Sequence, residues 1–421
     1  MTAASILPAA RTLHPRNLGY LDEHVQRYIS SGRPAGALTV VYHKDQVAHW
    51  SAQGLRDRER GKPITDDTIF RIYSMTKPIA SVALMQLYER GLVQLDDPVH
   101  RYIPSWEQLR VYRSGSYPEF QTTPCERPMT MRDLLSHQSG LTYGYAPVPG
   151  PQPGHYRGTT AVAAAYRQVR IGHTDNATLR DMIDALSELP LEFSPGAAWN
   201  YSISTDVVGY LVEVISGQRL DRYLQEHIFE PLGMTDTVFW VRPDQAERLA
   251  TNYRASATGE GIEVFDDAAT SEFLREPTFF SGGGGLVSTA GDYLRFCRML
   301  LGNGRLDGAP IIGRKTLELM TKNHLTGNRS IAAAASSGED NPSYAANGFG
   351  LGFAVGLDTA DGQISATPGQ YFWSGAAGTC FWIDPVEELA VVFMTQYMAW
   401  SPAPRFNVAH ELRAIVYGAL E

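Results

Sequence analysis

Ser74-Met75-Thr76-Lys77 places a hydroxyl and a primary amine three residues apart, and it is the only SxxK sequence in the chain. On a helix, residues three apart share a face, so the ammonium can reach the hydroxyl. Helix-terminal N–H groups and the helix dipole favour negative charge beside them. The chemistry this suggests is acylation of an activated serine. A free serine is a poor nucleophile, and a lysine with a usual pKa of about 10.4 takes its proton only where burial or a positive field lowers that value. Bringing it to about 7 corresponds to roughly 4 to 5 kcal/mol. Alone, the same four residues also fit an N-cap serine followed by a surface lysine. Lysine is scarce, however, occurring only at 44, 62, 77, 315 and 322, which makes one inside a motif less accidental.

Other residues invite a chemical reading that the spacing does not support. His137 could suggest a Ser/His/Asp triad, but no serine sits in a GxSxG elbow, so a structural histidine is the better reading. The run Gly282 to Gly285 fits neither GxGxxG nor GxxxxGK[ST] and reads as a tight turn rather than a phosphate cradle. No HExxH occurs and the eleven histidines are scattered, so neither a metal nor a cofactor is expected.

The elements that must position Ser74 and Lys77 follow from periodicity. Leu18, Leu21, Val25 and Tyr28 have helical spacing. Ala35 to Gln53 holds two β-branched and aromatic runs around His43 to Gln46, a hairpin signal. Ile69 to Tyr73 leads into a helix with Pro78 in its first turn and Gly91 beyond its last; its middle, SVALMQLY, is apolar on most sides, as in a buried helix. Helical stretches at Met131 to Leu135, Leu179 to Leu186 and Ser204 to Ile215 alternate with Pro/Gly/Ser-rich connections. Tyr145 to Gly158 is too rich in proline and glycine for regular structure and reads as a lid or binding segment, or else a plain surface loop. A helix from Ala290 to Leu301, strand-like runs at Gly348 to Leu357, Tyr371 to Ile383 and Leu389 to Thr395, and a helix from Phe406 to Leu420 complete the chain. Strands at both ends around a mostly helical middle imply an α+β architecture, an antiparallel sheet flanked by helices. The expected division is a discontinuous α/β domain, 1–91 with 281–421, and a mostly helical domain with long loops, 92–280. The site would then lie in the cleft between them.

Composition removes competing classes. The 421 residues, 43% hydrophobic, can bury a large core. A net charge of −9 offers no basic surface for phosphates, so nucleic acid is not an expected partner. Cys125, Cys297 and Cys380 form neither a CxxC pair nor an even disulfide framework, and read as free thiols in a reducing compartment. No charged leader precedes a long apolar run, and nowhere do about 18 uninterrupted apolar residues occur. The expectation is a cytoplasmic protein without a membrane segment; oligomeric state is not readable.

The SxxK sequence has company in four further segments: LLSHQSGL (Leu134 to Leu141), FSPGAAWNYS (Phe193 to Ser202), GGGLVSTAGDYLRF (Gly283 to Phe296) and WSGAAGTCFWIDP (Trp373 to Pro385). In this order they resemble the class C β-lactamase and penicillin-binding protein family, in its family VIII esterase branch. The resemblance implies a β-lactamase-like fold and a Ser74 acyl-enzyme, with Lys77 and Tyr201 as general base and acid. Tyr201 stands at the first position of the family's YxN motif, but its third position is Ile203, which removes an amide that β-lactamases use. Trp373-Ser374-Gly375 stands where Lys-Thr-Gly would fall. Trp373 exchanges a cation suited to a carboxylate for an aromatic wall, and this points to neutral esters. Gly375 would let substrate approach the strand, and the backbone N–H of Ala376 would join that of Ser74 as an oxyanion hole. Tyr143 matches a pocket-lining tyrosine of related esterases.

These readings together imply a carboxylesterase acting on short-to-medium acyl esters of small molecules, with room for weak β-lactam turnover or acyl transfer. A β-lactamase or D-alanyl-D-alanine peptidase would share Ser74, Lys77 and Tyr201 but is disfavoured by Ile203 and Trp373. An idle binding domain of the same fold is disfavoured by the intact trio.

Overall fold

The computed structural model describes residues 13–144, 160–172, 177–256, 261–336, 342–361, 365–398 and 408–421. The Tyr145 to Gly158 segment lies outside them. An eight-stranded antiparallel sheet is built from both parts of the chain: β1 (Gly36–His43), β2 (Gln46–Asp57), β3 (Lys62–Pro63), β4 (Asn347–Phe349), β5 (Ala354–Gly356), β6 (Tyr371–Ser374), β7 (Cys380–Asp384) and β8 (Leu389–Thr395), in spatial order β4-β5-β6-β7-β8-β1-β2-β3. The β1–β2 hairpin turns through Lys44 and Asp45, both at positive φ (46° and 62°), the backbone that a two-residue hairpin loop demands.

Strands β1 and β8 are buried along their whole length because helices cover both faces of the sheet. Side chains alternate faces along a strand. Val41, Val391 and Phe393 face a cluster completed by α1 (Pro15–Ser30) and the C-terminal helix Val408–Tyr417, through Leu21, Val25, Leu412 and Val416. Leu38, Val40 and Val392 face the larger core shared with α2 (Thr76–Glu89), α3 (Ser204–Ser216) and α4 (Ala290–Leu301). The three helices differ in how much of their surface the core claims. Helix α2 is buried continuously from Thr76 to Met85, as its unbroken apolar middle requires, and Gly91 at φ 70° follows its end.

Two strand runs differ from expectation. Gly348 to Leu357 is two antiparallel strands, β4 and β5, parted by a turn containing Gly352 at φ 95°. Tyr371 to Ile383 likewise divides into β6 and β7 around Gly375 to Thr379, where Gly378 has φ 80°. A strand fully covered by helices shows no alternation at its ends, so a turn rich in small residues passes unnoticed inside it. The 92–280 segment also carries β structure: a hairpin, Arg110–Ser116 with Glu119–Pro124, and strands Asn252–Ala255 and Ile262–Asp266 that join Tyr397–Met398. The hairpin is largely exposed and its residues are mostly polar, so it lacks an alternating apolar face. Tyr112 and Phe120 meet edge to face across it at 5.8 Å.

Candidate active site

A short strand, Phe70–Arg71, pairs antiparallel with Val287–Ser288 and delivers the chain to a single 3-10 turn, Tyr73–Met75, from which α2 departs. Tyr73 has φ 40°, a left-handed backbone that a bulky side chain rarely adopts. Its neighbours hold it there. Its hydroxyl accepts from Asn252 Nδ2 at 3.0 Å, and its ring meets Phe273 edge-on. The Gln396 amide clamps the backbone of Arg71, two residues before Tyr73, accepting from Arg71 N at 3.1 Å and donating to Arg71 O at 3.0 Å. Ser74, half-buried, therefore leaves a braced turn.

Lys77 is 1% exposed, and its Nζ donates to Ser74 Oγ at 3.2 Å and to Gly283 O at 2.6 Å. Burial pulls its pKa down to about 7, partly opposed by the charge of Asp206. This is the depression that the sequence argument required. Tyr201 reaches the same point from the turn preceding α3; its hydroxyl hydrogen-bonds Ser74, and its ring lies 4.7 Å from Lys77 Nζ. Burial pushes the phenol's pKa up, so Tyr201 stays protonated across the neutral range.

Trp373, on β6, donates its indole N–H to the Tyr201 hydroxyl at 3.3 Å and packs at 5.2 Å against both Tyr201 and Phe349. The structure thus turns the indole toward the phenol. Tyr143 approaches from the other side, its ring 5.5 Å from that of Tyr201 and 5.6 Å from Lys77 Nζ. Ser374 points the opposite way along the strand and is exposed. Gly375 lies against the chain entering the Ser74 turn: a Cβ there would lie 2.4 Å from Ile72 O and 2.3 Å from Thr379 Oγ1. The glycine lets β6 approach the turn before Ser74, and Ala376 begins the β6–β7 turn beside it.

His137 is fully buried at φ 56°, its ring 4.8 Å from Tyr201 and its Nδ1 3.3 Å from Ser202 Oγ. Burial and the nearby Lys77 hold its pKa well below the ordinary value. Ser202 continues to Ser204 at 2.7 Å and Ser204 to Ser139 at 2.7 Å, a chain of buried hydroxyls that joins LLSHQSGL to the turn carrying Tyr201.

Sequence reasoning did not find Asp206. It is buried in the first turn of α3 and accepts from Ser281 Oγ at 2.5 Å and from Gly283 N at 3.0 Å. The signal available was a carboxylate directly before the apolar run VVGYLV, about one turn beyond Tyr201.

The beta-lactamase family pattern matches residues 21–414, nearly the whole chain. The chain belongs to the beta-lactamase family. Among relatives, Protein Rv1367c of Mycobacterium tuberculosis is 34% identical over 384 residues, 90% of each chain. Esterase EstB of Burkholderia gladioli is 30% identical over 414 residues, 94% of each. A solved structure, EstCE1, "a hydrolase with promiscuous acyltransferase activity", superposes with a TM-score of 0.78 at 25% identity, covering 96% of this chain and 99% of that one. The antiparallel sheet flanked by helices is thus the β-lactamase-like fold, as the five ordered segments implied, and the esterase side of the family is represented among these relatives. No helix among the described residues is long and apolar enough to cross a membrane.

Proposed function

We propose that this serine hydrolase is a carboxylesterase that acylates Ser74 with the acyl group of a small, neutral ester. The observation that carries the reading is a lysine whose proton affinity is brought near neutrality by burial, 3.2 Å from the hydroxyl it must deprotonate. Neutral Lys77 takes the Ser74 proton as Oγ attacks the carbonyl carbon. The resulting oxyanion is received by the backbone N–H groups of Ser74 and Ala376, neither of which has a hydrogen-bond partner among the described residues. Collapse breaks the C–O bond, and Tyr201, a phenol rather than a phenolate, gives its proton to the departing alkoxide; Lys77 returns the proton to Tyr201. Water or a second alcohol then enters the alkoxide's place, is deprotonated by the same pair, and releases the acyl group as acid or as a new ester. Acyl transfer is part of the reading because the similar EstCE1 is a hydrolase with promiscuous acyltransferase activity.

Several features support neutral esters of short-to-medium acyl length over carboxylate-bearing amides. Tyr143, Tyr201, Trp373 and Phe349 form an aromatic surround, and among the described residues the one lysine that meets it is Lys77, beside Ser74. Within this reading the site divides a sheet-bearing part, 1–91 with 281–421, from the 92–280 part. The protein works in the cytoplasm on small molecules, without nucleic acid, metal or cofactor. Replacing Ser74 with alanine is expected to abolish hydrolysis of p-nitrophenyl acetate and butyrate; full retained activity would refute the assignment.

A further inference from the structure

Lys77 is enclosed by His137, Tyr143, Tyr201, Ser74 and Asp206, with the Gly283 carbonyl as its shortest hydrogen-bond partner at 2.6 Å. Of these groups, Asp206 alone is a carboxylate. Its place is built with little tolerance. One oxygen accepts from Ser281 Oγ and Gly283 N, while the other lies where a Cβ on Gly283 would come within 2.4 Å. Only glycine at 283 admits the carboxylate, and the same residue turns its carbonyl to Lys77. Asp206 and Lys77 are thus the two ends of one bracket whose middle is residue 283. A buried carboxylate costs several kcal/mol unless hydrogen bonds and an opposite charge answer it. Here the Lys77 charge and the two donors answer it in part, and burial still raises the Asp206 pKa.

We infer that Asp206 is a positioning residue for catalysis: through Gly283 it fixes the Lys77 amine beside Ser74, and through its charge it sets how readily that amine gives up its proton. The inference rests on the reading of Lys77 as the base for Ser74. Burial alone favours a neutral amine, and the Asp206 charge pulls the other way, which keeps Lys77 poised near neutrality rather than permanently unprotonated. An amine with too low a proton affinity abstracts a serine proton poorly and returns it to Tyr201 too readily, so a matched value serves both halves of the cycle.

The discriminating readout is the pH dependence of Ser74 labelling by a fluorophosphonate, together with kcat/KM for p-nitrophenyl butyrate. Asp206→Asn keeps the size and the acceptor oxygen but removes the charge. The acid limb, near pH 7 in the unaltered protein, is expected to move down by about one pH unit, the scale on which neighbouring charges act, while the plateau rate falls. A merely structural role would lower the plateau and leave the limb in place. Asp206→Glu, which restores the charge, is expected to bring the limb back toward 7. If Asp206→Asn does not fold, Ser281→Ala serves: losing that donor raises the proton affinity of Asp206, weakens its hold on the ammonium, and moves the limb the same way by less. A limb unmoved in folded Asp206→Asn, or in Ser281→Ala where Asp206→Asn is unfolded, overturns the inference and leaves Lys77 as base. A limb that persists in Lys77→Ala overturns both, since the titrating group would then lie elsewhere.

Discussion

Replacing Trp373 with phenylalanine separates two roles for one side chain. Phenylalanine keeps an aromatic ring against Tyr201 and Phe349, both 5.2 Å away, and removes only the indole N–H that reaches the Tyr201 hydroxyl at 3.3 Å. If the phenol stays neutral through the reaction, the lost bond is worth about 0.5–1.5 kcal/mol, a two- to tenfold fall in kcat. If Tyr201 carries negative charge while it hands its proton to the leaving alkoxide, the bond is charge-assisted and worth about 1.5–3 kcal/mol, so kcat falls roughly ten- to a hundredfold. The structure favours the larger figure, because burial opposes phenolate formation and the indole is one of the groups that relieve it. The assay is kcat and KM over ethyl esters from acetate to octanoate, whose alkoxide needs a proton to depart. A loss in kcat uniform along the series is expected, since the leaving group is the same throughout and only the acyl chain changes. A kcat within twofold of the unaltered enzyme refutes the reasoning. A loss that grows with acyl size would instead return Trp373 to the role of a pocket wall.

Three further outcomes follow from the same geometry. Gly375→Ala must push β6 away from Ile72 O, at an overpacking cost of about 1–3 kcal/mol; calorimetry should show Tm lowered by roughly 1–3 °C, and an unchanged Tm would show the approach to be looser than 2.4 Å. The acylation rate should rise with pH through about 7 as Lys77 sheds its proton and fall away below it; stopped-flow rates flat from pH 5 to 9 would contradict Lys77 as base. His137→Asn, which suits φ 56° and removes the imidazole, should lower stability by about 1–3 kcal/mol in urea titrations yet leave fluorophosphonate labelling of Ser74 intact; loss of labelling in folded protein would give the histidine a chemical role.

Much of the scaffold was legible because its signals are local. The Ala290–Leu301 helix and the Leu389–Thr395 strand begin and end where periodicity places them, and Thr289 caps the helix through the Asp292 N–H. The hairpin at Arg110 was not legible, since its side chains face water on most sides and leave no alternating pattern. At the site, the SxxK spacing indicated that Lys77 could reach Ser74, because three residues on one helix fix that distance. Its partners come from remote segments: Asp206 is 129 positions from Lys77 and looked like any acid at a helix start until the fold closed Ser281 and Gly283 around it. Gly375 carries the same lesson. A Cβ there would lie 2.4 Å from Ile72 O, an approach between segments about three hundred positions apart that only the folded chain displays.

The central claim is a covalent one, that the acyl group passes through Ser74. It is tested most directly by mixing the protein with p-nitrophenyl butyrate, quenching in acid within the first turnovers, and locating the adduct by peptide mass spectrometry. The account predicts one butyryl group on the peptide containing Ser74, absent in Ser74→Ala. Steady turnover with no adduct there, or with the adduct on another residue, would contradict it.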